Sequence, residues 1–201
     1  MLTDAKEDNL RNLILEKAGA QFFQYGFANT TTQQIAEELE ISKKTLYKYF
    51  SSKEELLFAV LAMNHREMLY RIEALTKDTE MDFLEKLREI STLIGKYNAK
   101  FTPQLIRDLK KMAPEQFGHK GPPHQQLIPF IEQLLGEGIQ KGMIRSDMDL
   151  RLIMLVISRA FENLLSSEVL SEVSFTFHEI LEAIIKIISE GILTDKARQK
   201  I

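Results

Sequence analysis

Apolar positions recur every three or four residues along most of the chain, the spacing of helices with one buried face. Residues 4–25 carry Leu10, Leu13, Ile14, the stem of Lys17, Ala18, Ala20 and Phe22 on such a repeat. Gly26 then supplies a left-handed stop, and Phe27 follows to pack back. Thr31-x-x-Gln34 is a capping box that predicts a short helix over about 32–39, with Ile35, Ala36 and Leu39 inward. Glu40-Ile41-Ser42 reads as a tight turn into a second short helix over 43–49, with Leu46 and Phe50 in the core. A second capping box, Ser52-x-x-Glu55, opens a longer helix through Leu56, Ala59, Val60 and Met63 to about residue 75. Further helices are predicted over 82–98, 103–111, 124–141, 148–167 and 175–191. The longest loop covers 113–124, with Pro114, Gly118, Gly121, Pro122 and Pro123. In the turn 142–149, Gly142 is the expected C-cap, and Ser146 or Asp147 the expected N-cap.

Composition agrees with an all-α chain: Gly (9) and Pro (5) together are 14 of 201 residues, so turns are few. The absence of cysteine removes disulfides, thiolate zinc sites and a cysteine nucleophile. No apolar run reaches membrane-spanning length, and the acidic, polar start is unlike a signal peptide, so a cytoplasmic protein with no membrane partner is expected. His65, His119, His124 and His178 show no metal-ligand spacing, and there is no Gly-rich phosphate loop or nucleophile elbow. No metal, cofactor or enzymatic activity is therefore expected.

Two short helices joined by a tight turn form a helix-turn-helix, whose second helix can enter a DNA major groove. Charge sharpens this reading. The whole chain has 26 basic and 29 acidic residues, net -3. Residues 41–53 nevertheless hold four Lys and no acid, whereas residues 1–56 as a whole hold 7 basic and 9 acidic residues. Phosphate neutralisation needs this local focus, not a basic average. On charge alone, a solvated helix face is the competing reading.

The segment resembles the DNA-binding domain of the TetR/AcrR family of bacterial transcription regulators. The matching residues are Gly26-Phe27, Thr30-Thr31, Ile35-Ala36, Ile41-Ser42-Lys43, Thr45-Leu46-Tyr47, Tyr49-Phe50, Ser52-Lys53-Glu54 and Leu56. The resemblance implies an all-α protein with a three-helix DNA-binding domain over 1–56 and a larger helical ligand-binding and dimerisation domain over 57–201. Thr31, Tyr47, Tyr49 and Lys53 match positions that hold backbone phosphates. Ser42, Lys43, Lys44 and Thr45 open the recognition helix, and Gln33 and Lys48 complete the candidate DNA-binding set. The family usually has Ala-Gly where this chain has Leu39-Glu40, and often Gly at Lys44. A left-handed turn would therefore have to be made by a Glu, while Lys44 adds a side chain able to reach DNA. The implied partners are double-stranded DNA with a pseudo-palindromic operator, a small-molecule effector and a second copy of the chain.

Beyond the head, pattern alone speaks. Residues 150–165 and 175–188 are apolar on nearly every side, which fits either a four-helix dimer interface or a buried central core. Candidates to line a ligand pocket are Phe83, Leu87, Tyr97, Phe101, Leu105, Met112, Phe117, Phe130, Met154, Phe161 and Arg159. Arg159, Glu162 and Asn163 interrupt an apolar helix and fit either a pocket or the interface. The expected function is a DNA-binding transcriptional regulator, a repressor released from its operator by an apolar or amphipathic ligand. The competing function is a small-molecule carrier with a vestigial head.

Overall fold

In a computed structural model describing residues 2–113, 124–164 and 177–198, the chain is helical apart from one bridge pair. The elements are α1 (Leu2–Tyr25), α2 (Thr32–Glu38), α3 (Lys43–Tyr49), α4 (Lys53–Lys77), α5 (Phe83–Asn98) and α6 (Pro103–Met112), then a 3-10 turn at His124–Leu127, α7 (Ile128–Gln140), α8 (Leu150–Leu164), α9 (Phe177–Ile192) and α10 (Asp195–Arg198). They form two compact units, one of residues 1–67 and 100–112, the other of 68–99 and 113–201. The position 56/57, where the sequence places its boundary, falls inside the unbroken helix α4.

The first unit is built on Ile14, Leu15, Ala18 and Phe22 of α1, Ile35 and Ala36 of α2, Leu46 and Phe50 at α3, and Leu56, Leu57 and Val60 of α4, all buried. Leu13 and Ala20, expected inward, are exposed, and Leu39 is only half-buried. The inward stripe of α1 runs instead through Leu15, one residue from the expected line. Gly26 has φ 82 and its amide bonds the Phe22 carbonyl at 3.0 Å, the left-handed stop read from the sequence.

The α2–α3 turn resolves the question of Glu40. Its φ is 54, so the residue adopts the left-handed conformation despite its side chain. The Glu40 amide bonds the Glu37 carbonyl at 3.1 Å, and the Ile41 amide bonds the Ala36 carbonyl at 3.0 Å. This pair is a Schellman closure, which satisfies carbonyls that α2 would otherwise leave open. The buried Ala36 and the half-buried Ile41 hold the turn in place, and the bonds offset the unfavourable backbone.

In the second unit α7 packs on α5 and α8, and α9 packs on α5 and α8. The core contains Ile72, Phe83, Ile90, Ile94, Leu134, Leu135, Ile144, Ile153 and Leu193. Gly138 lets α7 meet α5 closely: a Cβ there would lie 2.6 Å from the Phe83 ring and 2.7 Å from Ile144 Cδ1. Lys86 is buried yet charged, and its ammonium meets Glu137 at 2.9 Å, while Lys141 meets the other oxygen at 2.7 Å. Burial opposes ionisation of Glu137, but the hydrogen bonds from Lys141 and Lys86 outweigh it and hold the carboxyl below its usual range. A buried pair of this kind is costly to break from one side.

The turn after α7 differs from expectation in detail. Lys141 is the C-cap, and Gly142 follows it with φ 64. Asp147 is held by Arg145, at 2.9 and 2.6 Å, and so is not the N-cap of α8. Asp149 takes that place: its carbonyl accepts from Leu152 and Ile153, and its carboxylate from the Arg151 amide at 2.8 Å. Arg145 N–H also donates to the Ile192 carbonyl and Thr194 N–H to the Met143 carbonyl, both at 2.8 Å. This two-residue antiparallel clip is too short to leave a sequence pattern. Most of the expected 113–124 loop, and residues 165–176, lie outside the described residues.

Two substitutions check these features. Glu40→Gly should raise stability by about 1 kcal/mol, because Gly adopts the left-handed turn freely; thermal melting measures it. Gly138→Ala should lower stability by about 1–3 kcal/mol, because two packed side chains must give way; urea unfolding measures that loss.

Candidate nucleic-acid interface

The local sequence fixes α3 at both ends. Ser42 is its N-cap, accepting the Thr45 amide at 3.0 Å, and the two hydroxyls lie 2.8 Å apart. Phe50 ends the helix, its amide bonding the Leu46 carbonyl at 3.2 Å. Burying Leu46 and Phe50 leaves Lys43, Lys44, Tyr47 and Lys48 on the exposed side. With spacings of three and four residues, these four share one helical surface. The Lys43 ammonium lies 5.8 Å from the Tyr47 ring centroid. The face therefore carries three ammonium groups and a phenolic hydroxyl.

Tyr47 is held from α2. Its hydroxyl is 3.2 Å from the hydroxyl of Thr32, which is itself buried. Thr32 escaped the sequence reading because it looks like one of three neighbouring threonines. Thr30 likewise has a structural role: buried, it donates to the Gly26 carbonyl at 2.9 Å and locks the α1–α2 turn.

The other candidates occupy the margins. Thr31 caps α2, with its hydroxyl accepting from the Gln34 amide at 3.2 Å and lying 2.9 Å from Gln34 Oε1. That hydroxyl is committed to the capping box. Gln33 is exposed but donates to Glu37 at 2.7 Å. Tyr49 is half-buried. The Ser52 capping box closes on one side only: Ser52 accepts the Glu55 amide at 3.0 Å, while the Glu55 carboxylate reaches back to the Ser51 amide at 2.7 Å.

Lys53 opens α4 with its ammonium 4.1 Å from the Phe27 ring centroid. Phe27 in turn packs against Phe22, with centroids 5.8 Å apart. Burial lowers the Lys53 pKa, and the carboxylates of Glu54 and Asp108 oppose that shift. The cation is thus held by an aromatic face at the helix start, half shielded from water.

A family model described as "Bacterial regulatory proteins, tetR family" matches residues 14–60, the span from α1 into α4 that holds every DNA-binding candidate from Thr31 to Lys53. The chain belongs to the TetR family. Along most of its length it is similar to the probable acrEF/envCD operon repressor of Escherichia coli, 24% identical over 207 residues, covering 91% of this chain and 86% of that one. Its fold is shared by a TetR-family transcriptional regulator from Pectobacterium atrosepticum (TM-score 0.65, 18% identity, 95% and 97% of the two chains). It is shared too by FadR from Bacillus subtilis in complex with stearoyl-CoA (TM-score 0.57, 19% identity, 90% and 98%). This TetR-family chain is a DNA-binding transcriptional regulator, and the carrier reading falls away.

The ligand-pocket candidates of this TetR-family chain are divided between the two units. Phe83, Tyr97 and Met154 are buried in the core of the second unit, with Leu87 and Phe130 packed against it. Phe101, Leu105 and Met112 belong to the first unit. There Phe101 pairs with Phe23 at 6.3 Å between centroids. Arg159 is exposed on α8. Phe117, and the side chains of Phe161, Glu162 and Asn163, lie outside the described residues. Among the described residues no group of three or more His, Asp or Glu is placed to hold a metal ion, and no helix is long and apolar enough to cross a membrane.

Lys53→Ala should weaken binding to all DNA sequences alike and lower the salt slope by about 1. Lys43→Ala or Lys44→Ala should instead relax preference at individual base pairs, each costing about 1–3 kcal/mol where the contact is to guanine. Titrations of matched and scrambled duplexes at several salt concentrations separate the two behaviours.

Proposed function

We propose that the protein is a cytoplasmic homodimeric repressor that reads a pseudo-palindromic operator with two copies of α3 and leaves it on binding an apolar or amphipathic ligand. The observation that carries the DNA part is the exposed Lys43, Lys44, Tyr47 and Lys48 face, flanked by Lys53. In this reading Lys43 and Lys44, with Ser42 and Thr45 at the helix start, meet base edges. Tyr47, Tyr49, Lys48 and Lys53 meet phosphates, with Thr31 and Gln33 at the α2 edge.

The dimer rests on a separate observation in the second unit. Leu152 and Val156 of α8 and Ile187 of α9 are 60%, 59% and 68% exposed, and Leu155 adds to them. These are large apolar groups on two helices that pack on each other. A self-complementary patch on such a pair suits a two-fold interface. Ile184, equally apolar in sequence, packs against the core instead, so it reports on folding and not on association.

The ligand class is supported by the apolar side chains that make up the second unit and by the stearoyl-CoA bound by the similar FadR. Only differential affinity for the DNA-free state lets such a ligand lower operator occupancy. Selection of bound sequences from a random duplex pool should return inverted repeats, and Leu152→Asp with Val156→Asp should yield a monomer by sedimentation and single half-sites. A wild type that sediments as a monomer, or recovers only single half-sites, contradicts the proposal. For the ligand, thermal shifts should appear with long-chain acyl compounds and be absent with sugars and nucleotides.

A further inference from the structure

A buried hydroxyl lies directly behind a group that the DNA reading sends to a phosphate. Thr32 opens α2 and is 5% exposed. Its hydroxyl is 3.2 Å from that of Tyr47, which stands on α3. Tyr47 is 39% exposed, and the Lys43 ammonium lies 5.8 Å from its ring centroid. Among the described residues, neither hydroxyl has a second hydrogen-bond partner.

Counting protons fixes the direction of this bond. Each hydroxyl carries a single proton and can also accept. Were Tyr47 the donor, the Thr32 proton would need another acceptor inside the core, and a buried donor left unmade is costly. With Thr32 as donor both protons are placed: the buried one bonds the Tyr47 oxygen, and the one on the exposed phenol stays free for water or DNA. A phosphate oxygen accepts and cannot donate. This is therefore the one direction in which Tyr47 serves both neighbours. The resulting run of hydroxyl to hydroxyl to phosphate is cooperative, because each bond polarises the next. The 3.2 Å separation leaves the first bond room to tighten as the second forms.

We propose that Thr32 is a positioning residue for DNA binding: it donates to Tyr47 and thereby presents the phenolic proton outward, ready to bond a phosphate. Thr32 itself touches no DNA. A phenol without such a partner can turn its proton to either side of the C–O axis and must settle on binding. Thr32 makes that choice in the free protein, so less freedom is lost when DNA arrives. The contribution is uncharged and adds nothing to the counterions released.

This inference rests on Tyr47 being a phosphate contact, and the test separates the two. Full-length wild type, Thr32→Val, Tyr47→Phe and the double variant are titrated with a mixed-sequence double-stranded DNA at several salt concentrations. Valine keeps the shape of threonine and removes the hydroxyl. Thr32→Val should weaken binding about fivefold, the factor of one ordinary hydrogen bond, with the salt slope unchanged. In the Tyr47→Phe background the same change should do nothing. Thr32→Ser keeps the donor and should bind as wild type does, even where its melting temperature falls; a packing role would reverse the order of Ser and Val. If Thr32→Val fails to fold, Thr32→Ser against Thr32→Ala makes the same comparison, with Ala alone losing affinity. Wild-type binding by Thr32→Val while Tyr47→Phe weakens it overturns the role of Thr32 alone. So does a loss that is equal with and without the Tyr47 hydroxyl, or equal in Thr32→Ser and Thr32→Val. Equal binding by Tyr47→Phe and wild type overturns the phosphate contact and the positioning role together.

Discussion

The proposed DNA-reading surface depends on one turn. Helices α2 and α3 are each seven residues long, too short to persist alone in water. Their mutual angle is set by Glu40 in a left-handed conformation and by the paired amides of Glu40 and Ile41 closing α2. That closure directs Leu46 and Phe50 inward beside Ile35 and Ala36. The opposite face of α3 is then forced outward, and Lys43, Lys44, Tyr47 and Lys48 lie on it. The Thr32–Tyr47 hydroxyl contact repeats the constraint from the α2 side. The side chains proposed to meet DNA are therefore oriented by buried groups behind them.

The same economy appears around Lys53. A long, flexible cation would lose considerable side-chain freedom on meeting a phosphate. Here Phe27 already holds the ammonium, and Phe22 supports Phe27. Partial shielding makes the charge more responsive to its neighbours than a fully wet one.

Much of the head was legible in the sequence, because its signals are local. The capping residue Thr31, the Gly26 stop and the spacing of Ile35, Ala36, Leu46 and Phe50 each act within a few residues. The expected range of α3 coincides with the observed one, Lys43–Tyr49. What escaped is non-local or conformational. A Glu in a left-handed turn has no favourable propensity to announce it; only the Schellman bonds and packing explain it. Thr32 is inward because Tyr47 waits for its hydroxyl, fifteen residues away. In the second unit an apolar residue reads alike whether it lines a core or an interface: Ile184 and Ile187 are three apart, yet one packs inward and the other is exposed. The grouping of residues 100–112 with the first unit leaves no sequence mark at all.

The central claim is that the exposed face of α3 reads DNA from the major groove. Methylation interference tests it most directly, since methylation at guanine N7 alters the major-groove edge. On a duplex recovered by sequence selection, the account predicts that N7 methylation blocks binding at two clusters of guanines related by the operator's two-fold symmetry, and that Lys43→Ala or Lys44→Ala removes part of each cluster. Binding indifferent to N7 methylation, with interference confined to the minor-groove edge, would contradict it.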